Sequence, residues 1–374
     1  MPDFLPAELV QLRERVDALA AGPLRTLVDD AHQIGRAELA RRVSAETKRA
    51  GVFGLTQAPE HGGLGGTPLQ LVVAREALAA HNVVHLPGLF GPGPGPLGGV
   101  GEPLRSSHLL PLLAGERQGG FGFTEPAGAR PTWARVEGDS FVVNGQKSYV
   151  TGGGDADFVN AVVDVEGRGP AVVVIDTALA GVELVRRFAT LDGSHHAAFE
   201  FHDVRVPLTN IVGEAGSGMR RALGQIGDVR LAIASSATGL ACWTVGYVHE
   251  HLQRPRRGGA AEPLAASERA RLRYGELRMA TFTARSVLYR AARLVEAGER
   301  AVNETMTAKF VATETVGTVV DAAVQLVGGE ALVEGHPLES LLRRVRAWRL
   351  AEGESDQLRV NVARGALDLD AGRL

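Results

Sequence analysis

The chain has 374 residues and a formal net charge of −3, from 40 lysines and arginines against 43 aspartates and glutamates. With 45% hydrophobic and 22% charged residues it has the composition of a folded chain long enough for two or three domains, which excludes bulk disorder. The near-balance of charge without a basic tail argues against nucleic-acid binding. A single cysteine, Cys242, excludes an internal disulfide framework and a cysteine-rich zinc site.

In chain order, Leu9, Leu12, Val16 and Leu19 recur at helical spacing and predict a first helix. Leu69, Val72, Val73, Glu76 and Leu78 predict another after the breaker GGLGGTP. The run GPGPGPLGGVG (91–101) predicts a surface loop, because alternating proline removes backbone donors. From residue 119 the pattern turns to strands. Trp133–Glu137 and Ser140–Val143 flank the turn Gly138-Asp139, and Asn144-Gly145 predicts a second hairpin turn before QKSYVTG. Val162–Val165 and Ala171–Asp176 pair around EGRGP, and FEFHDVRVP (199–207) is a closing strand. Beyond 216 the periodicity is helical again. Leu231–Tyr247 is nearly all apolar; Leu277, Ala280, Ala284, Leu288, Ala291 and Val295 precede the stop Gly298; Phe310, Thr313, Val316, Val320, Ala323 and Val327 precede Gly328-Gly329. The expectation is an α+β chain with an N-terminal helical domain (1–118), a central antiparallel β-barrel-like domain (119–215) and a C-terminal helical bundle (216–374). The opening MPDFLPAELV does not read as a signal peptide, and the purest apolar run, AVVVI at 171–175, is too short to cross a bilayer. A cytoplasmic location with no membrane span is expected.

Most isolated motifs favour bland readings. Gly93 to Gly98 matches GxGxxG, but no strand precedes it and prolines fill the variable positions. His195, His196 and His202 lack metal-ligand spacing, since adjacent strand residues face opposite sides, and no metal is expected. Cys242, inside an apolar helix, reads as a structural thiol. Glu352-Gly353-Glu354-Ser355-Asp356 crowds three carboxylates beside a glycine. By composition alone this is a solvated acidic loop; the alternative is a general base whose pKa burial has raised.

Five segments in order carry a resemblance. PEHGGLGG (59–66), FGFTEPAGA (121–129), NGQKSYVTGG (144–153), AVQLVGGEA (323–331) and HPLESLLRRVRAWRLAEGESDQ (336–357) resemble, at similar distances, the signature segments of the acyl-CoA dehydrogenase family. The resemblance implies FAD held between the β domain and the C-terminal bundle, and removal of two hydrogens across Cα–Cβ of an acyl thioester. In that chemistry a carboxylate takes the α proton and the β hydrogen leaves as hydride to the flavin. Matched position by position, Glu352 falls on the catalytic base. Phe123, Thr124, Tyr149, Val150 and Thr151 fall on the segments around the flavin ring. Gln325, Gly328, Gly329 and Arg254 fall on contacts to the ADP half across a subunit boundary, and Glu354 and Ser355 on the adenine side. Arg230, Gly353 and the loop residue Arg130 fall at the substrate end. The resemblance further implies a homodimer or homotetramer and an electron-transfer flavoprotein or other electron acceptor. The acyl group is carried on CoA or on a carrier protein.

The chain departs from the family pattern at several of these places. Arg130 and Pro131 replace a serine and an aspartate in a shortened loop. Gly227 replaces an aspartate ahead of Arg230, Arg343-Arg344-Val345 replaces RDA, and Arg257 replaces a phenylalanine. A guanidinium cannot stand in for a buried aspartate without a new partner. Two alternatives stay open: a flavin-dependent monooxygenase-like relative, against which Glu352 argues, and a catalytically silent subunit of a related complex.

Overall fold

A computed structural model describes residues 5–31, 33–84, 86–255 and 262–372 of the chain. In order, the elements are α1 (Ala7–Ala21), α2 (Pro23–Asp29), α3 (Arg36–Arg49), α4 (Pro68–Ala80), α5 (Leu110–Ala114), β1 (Gly119–Gly122), β2 (Trp133–Glu137), β3 (Ser140–Thr151), β4 (Phe158–Val165), β5 (Gly169–Asp176), β6 (Val182–Ala189), β7 (His195–Pro207), β8 (Ile211–Val212), α6 (Gly218–Gln253), α7 (Glu268–Glu296), α8 (Val302–Val327), α9 (Pro337–Trp348) and α10 (Ser355–Leu369). They fall into two compact units. A helical unit takes the chain up to residue 53, 66–89 and everything from 227 onward; a β unit takes 54–65 and 90–226.

The β unit is one eight-stranded sheet, ordered β6-β7-β3-β1-β4-β5-β8, with β2 joined to both β3 and β4. Most pairings are antiparallel, but β1 and β2 each run parallel to β4. The turn at Gly138-Asp139 forms as expected, pairing Glu137 with Ser140. Asn144-Gly145 makes no second hairpin: β3 continues through it to Thr151, with a register shift against β7 between Val143 and Gly145. Long-range contacts override the local turn preference. The Asn144 side chain exchanges two hydrogen bonds with Asp203, both 3.0 Å, and a Cβ at Gly145 would lie 2.6 Å from the Thr132 Cα. The apolar run 171–175 has a two-sided cause. Ala171, Val173 and Ile175 face one core with Phe141, Phe199 and Phe201, while Val172 and Val174 face another with Leu97 and Phe158. Leu97, inside the glycine-proline loop, is therefore fully buried rather than a surface residue.

In the helical unit, α4 starts at a capping box. The Thr67 hydroxyl accepts from the Gln70 N–H, the Gln70 side chain accepts from the Thr67 N–H, and Pro68 takes the first helical position. A Cβ on Gly239 would lie 2.4 Å from the Glu76 carbonyl, so α4 and α6 meet almost backbone to backbone there. α8 packs against α7, α9 and α10. Two helical stretches, Ile226–Gln253 and Val302–Val327, have the length and mean hydropathy (1.3) of membrane spans, although no membrane span is expected from the sequence. Both carry buried polar residues that belong to a bundle core. Ser235 and Thr244 bond back to the carbonyls of Leu231 and Leu240, and the second stretch buries Asn303, Glu304 and Lys309.

Glu76 is fully buried, with Arg13 at 2.8 Å, Arg285 at 2.5 Å and the Tyr289 hydroxyl at 2.6 Å. Burial pushes its carboxyl up, but the two guanidiniums and the phenol outweigh that and hold it below the ordinary carboxylate range. Its contribution to stability is therefore present above the unfolded-state pKa and lost as pH falls through the folded one. Replacing Glu76 by alanine, which strands two shielded cations, should lower unfolding free energy by about 3–5 kcal/mol in urea titrations at neutral pH. The loss should shrink as the titration is repeated below about pH 4.5.

Candidate active site

Three carboxylates lie within five residues where the chain turns from α9 to α10, and their surroundings give each a different job. Glu354 is the N-cap of α10 and accepts from the N–H groups of Gln357 (2.6 Å) and Asp356 (3.0 Å). Asp356 is exposed and pairs with Arg359 one turn on. Glu352 is half-buried, and among the described residues no hydrogen bond or ion pair reaches its carboxylate. Its backbone is left-handed (φ +55°), followed by Gly353 at φ +106°. At Gly353 a Cβ would lie 3.0 Å from Leu358 Cδ2 and 3.5 Å from Arg230 Nη2, so both conformation and space call for glycine.

Two buried cations hold this turn by its carbonyls. Arg230 on α6 donates from Nε to the Glu352 carbonyl at 3.0 Å. Lys309 on α8, completely enclosed, donates from Nζ to the carbonyls of Gly353 (2.8 Å) and Arg349 (3.4 Å). The Arg349 guanidinium meets Glu314 at 3.1 Å, and the Ser355 hydroxyl donates to the other oxygen of the same carboxylate at 2.6 Å. Burial raises the Glu352 carboxyl above the ordinary range, and the nearby charges of Arg230 and Lys309 only partly offset this. Burial, aided by Arg230, lowers Lys309 to about 8. A desolvated carboxylate with free lone pairs and a raised pKa is what a general base requires.

The β unit carries a second group of residues. Phe123 and Thr124 follow β1, and the Ser148 N–H donates to the Thr124 carbonyl at 3.0 Å, which holds that exit beside β3. Further along β3, Tyr149 is exposed and meets Phe188 edge-on at 5.0 Å. Val150 is buried, while Thr151 is exposed with its hydroxyl 3.3 Å from His196 Nδ1. Exposed aromatic faces at Phe123 and Tyr149, with the hydroxyls of Thr124 and Thr151 beside them, fit a flat, mostly apolar ring with polar edges, as a flavin is.

Beneath the loop, Glu125 accepts from Lys147 Nζ (2.5 Å) and from the Thr132 N–H (2.8 Å), an ion pair that joins the TEP segment to the NGQK segment. Lys147 is 1% exposed. Sequence reasoning misses both Lys147 and Lys309. The signal for them is compositional: an arginine-rich chain with three lysines buries two of them completely.

The remaining expected site residues are more dispersed. Arg130 is exposed, its guanidinium 4.3 Å above the Trp133 ring. Arg254 is exposed at the end of α6; Arg257 lies outside the described residues. Gln325 is exposed on α8, Gly328 (φ +85°) ends that helix and Gly329 is open. Gly329, Glu330, Val333, Gly335, His336 and Pro337 line an open recess of about 660 Å³. Cys242 has its thiol pushed up to about 11 by burial. His202 sits on an exposed face with Glu183 and Glu200, their ligand atoms within 4.8 Å of one another.

Residues 216–367 match the family described as "Acyl-CoA dehydrogenase, C-terminal domain". The short-chain specific acyl-CoA dehydrogenase of Clostridium acetobutylicum is 28% identical over 82% of this chain and 84% of its own length. Among solved structures, a probable acyl-CoA dehydrogenase from Mycobacterium abscessus superposes with a TM-score of 0.83 at 27% identity, covering 96% of this chain and 98% of that one. An acyl-CoA dehydrogenase from Bacillus anthracis, solved with FAD, reaches 0.83 at 20% identity over 99% of this chain and 69% of its own, a likeness of fold. The family match falls on the segment that carries Arg230, Lys309 and the Glu352 turn, and along most of its length the chain is similar to acyl-CoA dehydrogenases.

Proposed function

We propose that the protein catalyses FAD-dependent α,β-dehydrogenation of an acyl thioester, with Glu352 as the base. The observation that carries this reading is the free Glu352 carboxylate, desolvated and flanked by two cations that hold backbone rather than the carboxylate itself. A thioester α-C–H is a very weak acid, so its removal needs a base short of water and fixed in direction. The turn at 352–353 gives the direction and burial gives the basicity. The Glu352 N–H is the donor we assign to the thioester oxygen, where negative charge grows as the α proton leaves. Phe123, Thr124, Tyr149, Val150 and Thr151 are the residues we assign to the isoalloxazine ring, and Gln325, Gly328, Gly329, Arg254, Glu354 and Ser355 to the rest of FAD. Bound FAD supplies the two-electron hydride acceptor that no side chain provides. Arg130 and Gly353 complete the substrate end. CoA is the expected thioester carrier and a carrier protein the second; a homo-oligomer is the expected assembly. Electrons would leave to an electron-transfer flavoprotein or another acceptor.

Purified protein should show the flavin band near about 450 nm, and one acyl thioester in a panel of acyl-CoA and acyl-carrier substrates should bleach it anaerobically. Glu352→Gln should keep FAD and thioester binding yet slow bleaching by roughly 10²–10⁴; bleaching at the wild-type rate would remove Glu352 from the mechanism. Because the base must be ionised, kcat/KM should fall on the acid side at a midpoint above the ordinary carboxylate value of about 4.5. The same raised pKa makes ionised Glu352 a cost to folding at neutral pH, so E352Q should unfold at a higher temperature than wild type at pH 7, with the difference fading in acid. Gly353→Ala forces a Cβ into a left-handed position against Leu358. It should lower unfolding free energy by about 1–3 kcal/mol and reduce bleaching, with FAD content unchanged.

A further inference from the structure

Arg230 and Lys309 both lie close to Glu352, yet each gives its hydrogen bonds to main-chain oxygen: Arg230 to the carbonyl of Glu352, Lys309 to those of Gly353 and Arg349. Lys309 is the more unusual of the two. It is fully enclosed, and the acceptors recorded for its ammonium are neutral carbonyls rather than a carboxylate. Such a cation is costly to bury, and its bonds to the turn's carbonyls are what hold it there. What the ammonium adds is a fixed positive charge below the turn that carries the base. We propose that Lys309 is a positioning residue for Glu352, holding the 349–353 turn by its carbonyls and supplying the positive potential that keeps the neighbouring carboxylate ionised without bonding to it. This rests on the reading of Glu352 as the base.

Arg230 faces Lys309 from α6, Glu352 and Glu354 from the turn, and Glu314 from its own helix, where Glu314 is paired with Arg349 from the end of α9. Glu354 is committed to capping α10 and Glu314 to Arg349 and Ser355. Of these carboxylates, Glu352 alone is left without a bond of its own, so the potential from Lys309 falls on the group whose ionisation matters. Burial lowers Lys309 to about 8, so the ammonium is charged through the acid-side range in which Glu352 ionises. A direct salt bridge would occupy the lone pair that takes the proton; a charge held on the adjacent carbonyl of Gly353 lowers the proton affinity and leaves the lone pair open.

The test uses the FAD-loaded protein and two readings of the same ionisation: the acid-side midpoint of kcat/KM with a thioester that bleaches the flavin, and the carboxyl midpoint of Glu352 by carbon-13 NMR of glutamate-labelled protein, assigned with E352Q. Lys309→Gln keeps donors for the carbonyls and drops the charge. Both midpoints should rise by about one pH unit, about tenfold in proton affinity, with FAD content unchanged. Lys309→Arg keeps the charge and should return both midpoints to wild-type values. Lys309→Met should show the upward shift together with lower thermal stability. Wild-type midpoints in K309Q, or in K309M with only stability lost, would overturn the proposal and leave a purely structural lysine; if K309R does not fold, K309Q decides alone. Undiminished bleaching by E352Q is a separate failure, of Glu352 as base, and the NMR midpoint would still judge the role of Lys309.

Discussion

A half-buried negative charge without a hydrogen-bond partner is costly for a fold to hold, and the α9–α10 turn is organised around tolerating one. Glu352 has a left-handed backbone, a raised pKa and a carboxylate that no described residue bonds. The turn keeps this geometry because Arg230 and Lys309 fasten its carbonyls from two helices, and because Gly353 takes the left-handed backbone and leaves room for Leu358. Pairing either cation with the carboxylate itself would make a more comfortable turn and a poorer base.

The neighbouring charges are committed to holding the turn's ends. Glu354 is used as a helix cap, and Glu314 joins Ser355 to Arg349, so the two helices flanking the turn have fixed ends. In the β unit, Glu125 does related work: its carboxylate takes both the buried ammonium of Lys147 and a backbone N–H of the shortened loop. Arg130, which stands where the family pattern has a small polar residue, lies on Trp133. That stacking gives the arginine a partner within its own loop.

Much of this architecture is legible in the residue pattern alone. The helix that follows GGLGGTP, the Gly138-Asp139 turn and the glycine stops after α7 and α8 are local events, decided by a few adjacent side chains, and they form as expected. Asn144-Gly145 shows the limit. Its local preference is for a turn, yet Asp203, 59 residues on, and Thr132 on the preceding loop turn it into a bulge in a continuous strand. The sheet also contains two parallel pairings, which no spacing of short strands could reveal, because parallel neighbours are joined by long excursions of the chain. The two helices with the hydropathy of membrane spans differ for a similar reason: their polar residues are too spread out to stand out in the sequence, and only packing shows them turned into a core.

By itself the sequence determined the helix–sheet–helix order, the family resemblance and the position of Glu352 within an acidic cluster, since each of these is carried by contiguous residues. Only the tertiary structure decided which of three neighbouring carboxylates is free. That choice depends on Lys309, 44 residues before Gly353, and on Arg230, 122 residues before Glu352, and on how thoroughly helices pack around them. Burial and long-range charge fix the ionisation of a side chain, and neither is written in the residues beside it.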